Sequence, residues 1–247
     1  MKKLLALLAA LWLCCAPCLS EETDGIGDII EENAVSAREE FIHRIIETGH
    51  SLFTAAKGRL QRAHYAGDIY ICKNFTVHVF RENCGHFRMA EFPTVPLCIP
   101  SNLPAADCKP YYYGYCWMDV PPEEGNPFYI AAQFLYDPEL SHEKNLSLAK
   151  EFMKQVRRGD FFQMTADYYY GIGAHSAIMI ADYDEETDTV HWMDSNMAGE
   201  KRSGIRYAKV QYDVERSISW WADAFCKWGR GATLYRLRDD IVFFGEE

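Results

Sequence analysis

Three features stand in an order that suits thiol chemistry: Cys72, then His175, then the run Asp194-Ser195-Asn196. A cysteine in the first turn of a helix sits at the positive end of the helix dipole, which favours its thiolate. A histidine facing that sulfur can take its proton and later deliver one to a leaving amine. A carboxylate or amide behind the imidazole fixes its tautomer and orientation, and either Asp194 or Asn196 could supply it. Strand alternation places those two side chains on one face and Ser195 on the other. Cys84, in Asn83-Cys84-Gly85-His86-Phe87, is the rival nucleophile. Pro93 follows it too soon for a long helix, so Cys84 reads as a disulfide partner. His191 alternates away from Trp192 and Asp194 and is expected on the opposite face.

This chemistry needs Cys72 at a helix start and His175 at the mouth of a strand. Ile71, Phe75 and Val79 lie four apart, which predicts a short helix with Cys72 in its first turn, ending before Cys84-Gly85. Upstream, from Asp28 to about Arg62, Ile30, Ala34, Ala37, Phe41, Ile45, Leu52, Ala56 and Leu60 recur at helical spacing. They predict one amphipathic helix, or two broken at Thr48-Gly49. Residues 86–127 are rich in Pro, Tyr and Cys and read as an irregular insertion. A strand is predicted over Phe128–Tyr136 and a helix over Ser141–Arg157, opened by Ser141 as its cap. Strands follow at Phe161–Met164, Ser176–Tyr183 and Thr189–Asp194, the last two joined by a turn through Asp184-Glu185-Glu186-Thr187. Ser217–Trp228 reads as helix, and Ala232–Leu237 and Ile241–Phe244 as final strands. The tyrosines of 111–115 and the Trp220-Trp221 pair read as packing residues.

Composition narrows the classes of function. Of 247 residues, 36 are acidic and 25 are Lys or Arg, a formal charge of −11. A nucleic-acid binder would need a basic stripe to meet phosphates, and none is present. Phosphate-binding glycine loops are absent too. Lys2 and Lys3 precede an apolar run from Leu4 to Leu13 and small residues near Ser20, the pattern of a secretory signal peptide over residues 1–20. So short an apolar run is too small to cross a bilayer comfortably. The expected mature protein is therefore secreted or otherwise extracytoplasmic, free of the membrane, with its charge moved to −13 by the loss of two lysines. Six cysteines would remain: Cys72, Cys84, Cys98, Cys108, Cys116 and Cys226. Outside the cytosol six cysteines suggest three disulfides, whereas a catalytic Cys72 leaves five for other roles. No Cys or His spacing matches a zinc site, so neither metal nor cofactor is expected.

Several motifs resemble those of the NlpC/P60 and CHAP domains, which are papain-like cysteine peptidases and amidases. Cys72-Lys73-Asn74-Phe75 is similar to their Cys-x-x-Phe helix. Gly159-Asp160-Phe161-Phe162 resembles their Gly-Asp strand start, His175-Ser176-Ala177-Ile178 their histidine strand, and Asp194-Ser195-Asn196 the acidic-x-Asn close of CHAP domains. The resemblance spans residues 65 to about 200. It implies an α+β papain-like domain over 65–247, its N-terminal helices packed on an antiparallel sheet. A helical segment at 21–64 would precede that domain, and an insertion at about 86–150 would interrupt it. It also implies an amide substrate in peptides, peptidoglycan above all. Departures are visible: Ile71 stands where these families often carry Asp or Gln, and Lys73 and Asn74 replace small residues.

Asp68 and Tyr70 are candidates for the second oxyanion donor, and Tyr70, Tyr169 and Tyr170 for contacts with substrate. The last two belong to Tyr168–Gly173, which reads equally as an exposed loop. Lying between nucleophile and base, the 86–150 insertion is expected to cover or border the cleft. A charge near −13 is repelled by anionic cell walls, which leaves soluble peptides and host proteins open as substrates. Two other readings stand beside hydrolysis. One is an acyltransferase or thioesterase using the same triad; the other is a silent binding protein whose cysteines, Cys72 included, are all structural.

Overall fold

The computed structural model describes residues 36–63, 70–100, 120–164, 175–202 and 205–244. The proposed signal peptide, Asp68, Cys108, Cys116 and Tyr168–Gly173 lie outside them.

The chain opens on α1, Ala37–Ala56, capped by Ser36, whose hydroxyl accepts the Glu39 amide. The helix is unbroken at Thr48-Gly49. Gly49 is needed there for closeness: a Cβ on it would overlap Sδ of Met193 on a strand beneath. A glycine that reads as a break in sequence is here a contact point between layers.

After β1 (Gln61–Ala63) comes α2, Cys72–Arg81, which begins and ends where the four-residue spacing places it. Phe75, Val79 and Phe80 bury its inner face. The 86–150 segment is more regular than its composition indicates. It supplies β2 (Phe87–Met89), β3 (Phe128–Phe134) and most of α3 (His142–Met153), which Ser141 caps. Then follow β4 (Phe161–Met164), β5 (His175–Met179), β6 (Thr189–Arg202), β7 (Ile205–Ser217), α4 (Ile218–Trp228), β8 (Ala232–Leu237) and β9 (Ile241–Phe243).

The fold is mixed α+β. Seven strands form one sheet in the order β1-β7-β6-β5-β4-β8-β3, each neighbouring pair antiparallel. β2 and β9 make a separate antiparallel ribbon. Strand alternation sends Phe161, Ile178, Met193 and Val210 to one face, where α1 and α2 cover them. Phe162, Ala177, Met179 and Trp192 go to the other, beneath α3 and α4. Helices thus cover both faces, not only the N-terminal ones, and β4 is buried along its whole length. β3 is an edge strand of this sheet, so the segment read as an insertion belongs to the sheet's frame.

The strand β7 has no counterpart in the sequence reading. Its signal was present: Ala208, Val210, Tyr212 and Val214 alternate with Lys209, Gln211, Asp213 and Glu215. The alternation is interrupted in space by a bulge. Trp192 pairs with Val214 and Asp194 with Gln211, so one residue of β6 faces two of β7, and Asp213 takes the left-handed φ of 54°.

Candidate functional site

The site forms where the tip of α2 meets β5 and β6. Cys72 is the first residue of α2 and is buried; His175 is the first of β5. His175 Nε2 lies 2.8 Å from Asp194 Oδ2, and Cys72 hydrogen-bonds the same imidazole. With Nε2 on the carboxylate, Nδ1 is the nitrogen left for the sulfur. The order read along the chain is therefore a line in space: thiol, imidazole, carboxylate.

The carboxylate is itself held. Trp192 Nε1 donates to Asp194 Oδ2 at 2.8 Å, and Gln211 Nε2 donates to Oδ1 at 3.0 Å. Asp194 is 1 % exposed. Burial works against its charge, but the hydrogen bond and charge of His175, with Gln211 and Trp192, hold its carboxyl below the usual carboxylate range. Burial likewise works against an imidazolium at His175, yet the bonds to Asp194 and then Cys72 outweigh it and push the ring above its ordinary value. Lys73, the next residue along α2, is also buried. Desolvation pushes its ammonium down, opposed by the charge of Cys72.

A further hydrogen bond ties the turn before Cys72 to β6. Ser195, on the opposite face of β6 from Asp194, donates its hydroxyl to the Tyr70 carbonyl at 2.8 Å. The turn that delivers Cys72 is thereby pinned to the strand that carries Asp194. This also defines the place of Tyr70, whose side chain packs against the α1/α2 core and is absent from the cleft wall. Tyr70 is anchored through its backbone.

Asp194 and Asn196 do share a face, and both line the cleft, but they differ in kind. Asp194 holds the imidazole, whereas Asn196 is exposed at the rim. His191 points elsewhere, with Nδ1 2.7 Å from Asp213. Tyr169 and Tyr170 fall outside the described residues. Cys84, Cys98 and Cys226 are free thiols. The disulfide expected of Cys84 is therefore not formed; its sulfur faces the Arg81 carbonyl at 3.7 Å, at the end of its own helix. Asp160, of the Gly-Asp pair, is fully buried and holds Arg236 through two bonds of 2.8 Å, a structural role.

Cys72, His175 and Asp194 open onto a cleft of about 490 Å³. Its far wall comes from β7 and α4, and includes Arg216, Trp220, Trp221 and Trp228. Among the described residues none of its lining comes from 86–150, so the segment expected to border the cleft does not do so there. Gln211 and Trp192 were missed as functional residues. Trp192 could have been found from its two-residue spacing to Asp194, but Gln211 depends on a strand that was not read. Among the described residues no group of three or more His, Cys, Asp or Glu stands together as a metal site. Compared with family models, curated proteins and solved structures, the chain matches none.

Proposed function

We propose that this chain is an exported cysteine hydrolase acting on an amide bond, with Cys72 as nucleophile, His175 as base and then acid, and Asp194 orienting the ring. One observation carries the reading: the imidazole bridges the Cys72 thiol at a helix start and a buried carboxylate that also accepts from Trp192 and Gln211. A buried carboxylate so fully engaged is costly unless something uses its orientation.

The chemistry follows from the geometry. The thiol proton passes to His175, and Sγ attacks the carbonyl carbon as the C=O π electrons move onto oxygen. The Cys72 backbone amide, at the positive end of α2, stabilises that oxyanion. The oxyanion collapses, the C–N bond breaks, and the departing amine takes the proton from His175. Water then attacks the thioester while His175 removes its proton. Collapse of this second oxyanion expels the thiolate, which regains a proton from the imidazolium, and the carboxylic acid leaves. The resemblance to NlpC/P60 and CHAP domains supports a papain-like fold and directs the substrate toward peptides, including those of peptidoglycan.

The test is alkylation of Cys72 by iodoacetamide on the mature protein, followed by peptide mass spectrometry from pH 5 to 9. We expect labelling at pH 6 that His175→Ala abolishes, alongside hydrolysis of peptide amides that both Cys72→Ala and His175→Ala remove. A Cys72 that labels only after chemical reduction would be half of a disulfide, and the binding-protein reading would replace this one.

A further inference from the structure

The cleft wall differs in charge from the molecule that contains it. The chain carries eleven more acidic than basic residues, yet two arginines, Arg216 and Arg230, line this cleft. Among the described residues the one carboxylate in its lining is Asp194, which is buried and engaged by His175, Trp192 and Gln211. The wall is also aromatic. Four of the chain's six tryptophans, Trp192, Trp220, Trp221 and Trp228, line it. Two of them stay open to solvent, Trp220 at 47 % and Trp228 at 44 %. Exposed indole is costly on a soluble surface and is favoured where a ligand will cover it.

These groups are ordered with respect to one another. Trp220 and Trp221 meet edge to face at 5.0 Å, as do Trp192 and Trp221 at 5.0 Å. The Arg216 guanidinium lies 5.7 Å over the Trp220 ring and donates to the Glu215 carbonyl at 2.7 Å, so it is stacked and oriented before any ligand arrives. Arg230 reaches Met164 Sδ at 3.5 Å, on the same cleft wall. The β7 bulge makes the arrangement possible. Gln211 and Val214 are an odd number of residues apart, and only an extra residue between them lets both line the cleft with Arg216.

We infer that this Trp/Arg wall is a subsite for a substrate portion that joins a flat or bulky apolar group to a carboxylate. The indoles cover the apolar body and the guanidiniums pair with the anion. Guanidinium forks match carboxylate geometry. The inference rests on the hydrolase reading for its use, since the subsite flanks Cys72, but its test is binding.

The probes are 3-phenylpropanoate, its neutral amide 3-phenylpropanamide, and acetate, titrated into the full mature chain and into Cys72→Ala while tryptophan emission is followed. We expect the aryl carboxylate to bind at least about tenfold more tightly than either other probe, from one charge-assisted contact. The preference should shrink as salt is raised. Arg216→Gln and Arg230→Gln should each bring the acid toward the amide's affinity, and Arg216→Lys should retain part of the difference. Trp220→Ala should weaken both aryl probes alike. Equal binding of acid and amide, or arginine variants that leave the acid unchanged, would overturn the subsite. Selective binding of the acid to a chain whose Cys72 resists alkylation would keep the subsite and remove the hydrolase reading.

Discussion

Asp194 is the residue on which the site turns, because it is the group whose charge has no solvent to fall back on. His175 gains stability from it in one pH direction and Asp194 in the other. A histidine raised in the folded state contributes fully below its unfolded value of about 6.5, and that contribution is lost as pH rises through the folded value. A carboxylate lowered in the folded state contributes above about 3.9 and is lost as pH falls through its folded value. The pair is therefore most stabilising between about pH 4 and 6.5 and weakens above. In Asp194→Asn, burial of His175 is opposed by Cys72 without the carboxylate, and its imidazolium is lost at lower pH. We expect the melting temperature to fall most in that window. The proposed turnover should drop about 10²- to 10⁴-fold, and Cys72 alkylation should slow. Thermal melts and alkylation rates across pH check both parts. Asn196→Ala, by contrast, touches only the rim and should leave the alkylation profile as it is.

At the scale of elements, α2 and β6 must keep a fixed register for the sulfur to stay in line with the imidazole that Asp194 holds. The Ser195–Tyr70 bond maintains it. Ser195→Ala removes this hydrogen bond, at a cost of about 0.5–1.5 kcal/mol. It also loosens the turn before Cys72, and we expect alkylation at pH 6 to slow by about ten- to a hundredfold while the fold persists. Denaturant unfolding and the labelling rate separate the two effects. These elements were legible to different degrees. The helix at Cys72 was readable because Phe75 and Val79 bury one face, and α4 because Ser217 caps a run of apolar residues. β7 was missed although its side chains alternate, and with it went Gln211. The Thr48-Gly49 pair misled because a glycine's local preference is for a break, while the layer beneath α1 requires its lack of a side chain.

At the scale of the molecule, the proposed nucleophile and the proposed subsite sit on different layers that share one sheet. The thiol arrives from the α1/α2 side, and the aromatic wall stands on α4, backed by the second core. Phe225 is fully buried there and contacts Phe134, Phe152, Phe162 and Trp221. Phe225→Ala should cost about 3–5 kcal/mol, since the rings around it cannot collapse into the space. Because Trp221 leans on it, binding of the aryl probes should weaken more than Cys72 alkylation does. Denaturation curves and probe titration on the same variant measure that split. The segment 86–150 is tied into this core through β3 and α3, so its removal should prevent folding and leave no trimmed enzyme.

Local pattern alone determined the helix of Cys72 and the strand of His175, since each depends on residues within a few positions of one another. Which of Asp194 and Asn196 holds the imidazole was open until the sheet formed. Both share a face, and only the distance across to His175, with donors from Trp192 and Gln211, separates them. The Trp/Arg wall was likewise invisible. It joins residues from β6, β7, α4 and beyond through a bulge whose position depends on how two strands pair, and no sequence period records that pairing.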